Sequence, residues 1–87
     1  MLPQQLFDAV HRRPFQPFRV VQTDGTTYDI RHPEMLMVGV GAAIVGLNLD
    51  PSSLLFERTV TLDLMHIIRI EPLPVPSPSQ GNGQGGA

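Results

Sequence analysis

Between Arg13 and Glu34 the chain repeats a Pro-Phe step (Pro14-Phe15, Pro17-Phe18) and enters a β-prone run from Phe18 to Thr23 that sets Phe18, Val20 and Gln22 against Arg19, Val21 and Thr23. It then reaches Asp24-Gly25 ahead of a second β-prone run, Thr26 to Arg31. No other stretch constrains the fold as strongly. Pro14 restrains Arg13 to extended backbone and ends any helix before it. Asp-Gly between two β-prone runs predicts a two-residue hairpin, because both central positions of that turn want φ > 0. Pro33 removes a ladder donor, so His32-Pro33-Glu34 is expected to bend or break the second strand. Punctuation this dense leaves room for short strands only.

The flanking segments complete the outline. Leu2 to Arg12 reads as a short helix: Pro3 suits its first turn, and Leu2, Leu6, Ala9 and Val10 fall near one face. About ten residues do not hold a helix unaided, so it must dock. Met35 to Val38 restarts a strand, Gly39-Val40-Gly41 turns the chain, and Ala42 to Leu49 forms another. Asp50-Pro51-Ser52-Ser53 is a loop, and Leu54 to Arg58 leads into the longest β-prone run, Val60 to Ile70. If that run is straight, Val60, Leu62, Leu64, His66, Ile68 and Ile70 share a face. If it breaks near Leu64-Met65-His66, two strands meet at a one-turn corner. The tail alternates proline with other residues from Pro72 to Pro78 and then turns glycine-rich. It cannot bury enough apolar area to offset ordering and is expected to be disordered. The expected organisation is therefore a helix over 1–13, a mainly β five-stranded small barrel over 14–72, and a disordered tail over 73–87.

Size and charge narrow the function classes. Of 87 residues, only Leu2 to Pro72 reads as foldable, and a domain of roughly 60 residues buries only about 60% of its unfolded surface. With no cysteine there is no disulfide or thiolate metal site, which leaves close packing or self-association as the means of stabilisation. Met1 to Val10 lacks a basic segment followed by a long apolar one, so no signal peptide is visible and a cytoplasmic address is expected. The six cations are all arginines, at 12, 13, 19, 31, 58 and 69, against eight acidic residues, a formal charge of −2. They are scattered, whereas nucleic-acid binding draws on clustered cations.

Several residues invite a chemical reading. Phe15 and Phe18 on stiff backbone beside Arg13 and Arg19 could form a stacking platform; equally, the two rings could wedge the helix onto the barrel, the use small domains make of their aromatics. His32 and Glu34 are two apart, but Pro33 spoils the shared-face geometry and neither His11 nor His66 stands at a ligand spacing from them. A turn bonded to its own backbone is the simpler expectation. His66, inside an apolar run, is either a hydrogen-bonded structural histidine or a corner residue facing a groove. Gly39-Val40-Gly41…Gly46 lacks the following helix and the roughly 30-residue βαβ unit of a dinucleotide loop. Ser52 and Ser53 have no positioned base. Neither catalysis nor a cofactor is expected.

Met35 to Leu49 carries no charge over fifteen residues, too few for a membrane span of ~20 and interrupted by glycines. No membrane association is expected. Both faces of the implied hairpin are apolar, with Met35 and Met37 on one and Leu36 and Val38 on the other, so one face needs a cover. Met35, Met37, Val40, Ile44 and Leu47 are the expected contacts with a second copy.

The order of elements resembles the Sm/Hfq-type small barrel over about residues 2 to 72, in the Asp24-Gly25 turn after the first strand and the Ile67/Ile70 pair at the end. Ile30 stands where that family usually has a bend-forming glycine, and Met65-His66 replaces the Lys-His pair of bacterial Hfq. The run Arg13-Pro14-Phe15-x-Pro17-Phe18-Arg19, Asp24-Gly25, Tyr28, Arg31-His32-Pro33-Glu34 is similar to a group of small bacterial proteins of unknown function. The Sm/Hfq resemblance implies ring-type assembly, while the second resemblance supplies a fold family and no mechanism. The resulting expectation is a non-catalytic module that binds itself, as a homo-oligomer, or a protein partner. The second reading is an Hfq-like RNA-binding ring, with Phe15, Phe18, Arg19, Arg31 and His66 as its contact residues and His32 nearby.

Overall fold

In the computed structural model, residues 1–48 and 55–74 are described. The expected loop at Asp50-Pro51-Ser52-Ser53 and the expected disordered tail over 73–87 lie outside them, except for Leu73 and Pro74. Leu73 is buried and its N–H donates to Pro17 O at 2.9 Å, so the ordered chain runs past the expected boundary. Helix α1 spans Pro3–His11, with proline in the first turn; Leu2 N–H donates to the Gln5 side-chain oxygen at 3.2 Å. It ends at Arg12, in extended backbone, two residues before Pro14. Only Leu6 and Val10 of α1 are buried, so the helix is held by docking that one face.

Strands β1 (Phe18–Gln22), β2 (Thr27–Ile30) and β6 (Ile67–Pro72) form one antiparallel sheet in the order β2-β1-β6. Strands β3 (Leu36–Val38), β4 (Ala42–Leu47) and β5 (Arg58–Asp63) form a second in the order β3-β4-β5. A 3-10 turn at Pro33–Met35 separates β2 from β3, and another at Leu64–His66 separates β5 from β6. The long run Val60 to Ile70 is thus broken at a corner.

The five-stranded barrel is overturned. Among the described residues there are six strands, each sheet is a separate three-stranded ladder, and no strand pairing closes one on the other. The physical cause lies at the two 3-10 turns. Pro33 cannot donate to a ladder, and Met35 N–H closes a tight turn onto the His32 carbonyl at 3.0 Å, so β2 cannot run on into β3. At the second turn the Asp63 carboxylate accepts the Met65 N–H at 2.9 Å and stops β5.

The β1–β2 hairpin also differs from the two-residue turn expected of Asp24-Gly25. Gln22 N–H bonds Thr26 O at 2.9 Å and Gly25 N–H bonds Gln22 O at 3.0 Å, which makes a three-residue loop, Thr23 to Gly25. Gly25 takes the left-handed position at φ +90°, and the Asp24 carboxylate accepts the Thr26 N–H at 2.9 Å. Thr23 N–H is drawn instead to His66 O at 2.8 Å.

The core lies between the sheets under α1: Leu6 and Val10 from the helix, Phe18, Val20, Ile30 and Ile67 from the first sheet, Leu36, Ala43, Val45 and Leu62 from the second, with Leu64 at the corner. Ile67 and Ile70 both pack on this core although residues three apart on a regular strand face opposite sides. A register shift resolves this. Val21 pairs with Arg69 and Gln22 with Ile67, which leaves Ile68 without an opposite residue and turns it outward.

Candidate functional site

The outer face of the first sheet is a charge ladder. In register, Asp29, Arg19 and Glu71 lie side by side across β2, β1 and β6. Arg19 donates to both Asp29 oxygens, at 2.7 and 3.3 Å, and Arg31 reaches Asp29 at 3.4 Å. Arg69 donates to Glu71 at 2.6 Å. The hydrogen bond from Arg19, aided by the charges of Arg19 and Arg31, holds the Asp29 carboxyl below the usual carboxylate range despite partial desolvation. Asp24 is also held low, by the Thr26 hydroxyl and then the Thr26 N–H.

On the outer face of the second sheet the β3–β4 hairpin is apolar, while β5 contributes Thr59, Thr61 and Asp63. Met37 and Ile44 are directly opposed on β3 and β4, with Thr61 next in the row on β5. Met37 is 69% exposed and Ile44 40%, and Val40 at the hairpin tip is 91% exposed. Phe56 lies over Gly46 on the same strand: a Cβ there would fall 2.6 Å from the Phe56 ring. The ring occupies the space that only glycine leaves open.

The expected site residues fall into different places. Phe18 is buried in the core, Phe15 is half-buried against it, and the two rings tilt together with centroids 6.0 Å apart. Arg19 and Arg31 converge on Asp29. His32 is exposed at the start of the first 3-10 turn. His66 is exposed at the second, 3.5 Å from the Thr23 hydroxyl, while its backbone carbonyl holds the end of β1. These residues form no single cluster. Of the expected contact residues, Met37, Val40 and Ile44 gather on the outer face of the second sheet, whereas Met35 and Leu47 are half-buried against the core. Phe7 on α1 is an exposed apolar residue that helical periodicity did not mark for contact, and Leu2, which periodicity placed on the docking face, is exposed at the helix N-cap. Phe7 sits beside Leu6 in sequence, off the docking face, and stacks on His11 at 4.0 Å.

Among the described residues, no group of three His, Asp or Glu side chains could hold a metal ion, and no helix is long and apolar enough to cross a membrane. Compared with protein-family models, with curated proteins and with solved structures, the chain matches none.

Proposed function

We propose that this protein is a non-catalytic binding module that self-associates through open strand edges and the apolar outer face of the β3–β4 hairpin. One observation carries the reading: Met37 and Ile44 form a cross-strand apolar pair in solvent, and Val40 is exposed at the tip of the same hairpin. A contiguous apolar patch on a small domain is a contact surface before it is anything else. The outer edges of β2, β3, β5 and β6 have no strand partner among the described residues, and each open edge can accept a further strand. A protein partner could use the same patch. A cytoplasmic setting accompanies this reading on the absence of cysteine. The RNA-binding alternative draws less support, since Arg19, Arg31 and Arg69 are engaged by Asp29 and Glu71.

Light scattering coupled to size exclusion, run across a wide concentration range, tests the proposal. The expected result is a mass that rises with concentration, and a return to the single-chain mass for Met37→Asp with its circular dichroism unchanged. A wild-type chain that stays monomeric at every concentration would sink it.

A further inference from the structure

Two hollows of about 520 and 590 Å³ adjoin along α1 and share Phe7 and Val38 as wall residues, so they make one groove between the helix and β3. Val40 closes one end and Met37 lines the other. That second end also carries Arg13 and Glu34. Among the described residues neither has an ion-pair partner; every ion pair there involves Asp29 or Glu71. The groove therefore offers apolar walls with one cation and one anion that lack an ion-pair partner among the described residues, Arg13 donating only to the Arg12 carbonyl at 3.1 Å.

This combination is self-complementary. Under a two-fold rotation residue i meets j and j meets i, so Arg13 faces Glu34 of a second copy while Glu34 faces that copy's Arg13. A partner of uniform charge would satisfy one of the two and be repelled by the other. Met37 belongs to both the groove and the hairpin's outer face, so one copy can cover both at once. We infer that the α1–β3 groove is the surface on which two copies of this chain meet about a two-fold axis. The axis passes through the Met37 end of the groove, where Phe7 and Met37 pack beside it and reciprocal Arg13–Glu34 pairs fix the orientation, while Val40 lies toward the far end. The inference rests on the self-association proposed above and gives it a site and a symmetry.

Charge reversal tests it by sedimentation equilibrium. Arg13→Glu and Glu34→Arg each introduce like charges at two symmetric places, so each should weaken the dimer by about tenfold or more. The double variant restores opposite charges and should recover most of the wild-type affinity. Both substituted residues are exposed, and circular dichroism checks that the fold is kept in all three variants. A wild-type chain that associates while the single reversals leave its affinity unchanged overturns the groove contact and leaves self-association standing. Single variants that weaken binding without recovery in the double variant overturn the Arg13–Glu34 pairing. Assembly beyond two copies overturns the closed two-fold arrangement, and a monomeric wild type removes both proposals together.

Discussion

The two sheets contribute comparable strands to one core and present opposite surfaces to water. On the first, the outward row Asp29–Arg19–Glu71 is charged, with Arg19 bonded to Asp29 and Glu71 to Arg69. On the second, the outward row Met37–Ile44–Thr61 is apolar apart from a hydroxyl. An antiparallel sheet packed on one side normally wets its other side with polar residues, as the first sheet does. The second departs from that rule at residues its inward packing does not require, since Leu36, Ala43 and Val45 already supply the buried face. Exposure of this kind carries a solubility cost and no gain in folding, which is the ground for putting the proposed contact surface on the second sheet.

The largest test of the comparison concerns the core both sheets share. Ile30 belongs to the first sheet and is fully buried, and Ile30→Ala should cost about 2–5 kcal/mol. That is a large part of the total stability of so small a domain, so urea unfolding should lose most of its native baseline. A midpoint that barely moves would mean that the sheets do not lean on a common interior. Next comes Gly46→Ala on the second sheet. Its Cβ would meet the Phe56 ring at 2.6–2.7 Å, ring carbons that cannot swing aside independently. Overpacking of this order costs about 1–3 kcal/mol, and adding Phe56→Ala should return part of it. If the double variant is no more stable than the single one, the ring does not sit on the strand.

The smallest effect belongs to the charged face. The carboxyl of Asp29 titrates below its ordinary value, so its contribution is complete above the unfolded pKa of roughly 3.9 and fades as pH falls through the lower folded value. Acid titration of stability below about pH 4 should be shallower for Asp29→Asn than for wild type. Some slope remains because Asp24 is depressed as well. Met37→Asp introduces a carboxylate with no cation in its row and should leave the wild-type slope unchanged. An Asp29→Asn protein with the wild-type slope would mean that the Arg19 pair is too exposed to matter, as many surface pairs are.

Much of this was readable from local chemistry. Pro3 and Pro14 bracket the helix, Pro33 breaks the strand it enters, and Gly25 takes a position that needs a positive φ. What could not be read depended on contacts distant in sequence. The loop at Asp24-Gly25 gains a residue because Thr23 N–H is taken by His66, 43 residues away. The strand order between sheets is decided at two 3-10 turns whose residues carry no barrel or sandwich signature. Alternation misassigned the last strand because an unpaired Ile68 reverses its inside and outside, and no local residue announces a bulge there. At the candidate surface, the absence of charge from Met35 to Leu49 pointed to the β3–β4 hairpin, where Met37, Val40 and Ile44 are exposed. Which of its side chains stay in water followed only from the packing, where Met35 and Leu47 turn toward the core.

The 3-10 turn at Leu64–His66 gathers backbone from three directions. Its Leu64 carbonyl and that of Ile67 accept the Met1 nitrogen at 2.8 and 3.2 Å, His66 O accepts Thr23 N–H, and Leu64 N–H donates to Gly41 O at 3.1 Å. The side chains of Met65 and His66 meanwhile point into solvent. This corner should be indifferent to what its outward residues are and intolerant of a change in their number. An added residue would pull apart, in one stroke, the helix start, the first hairpin and the second. Evolution can repaint this joint freely but cannot lengthen it.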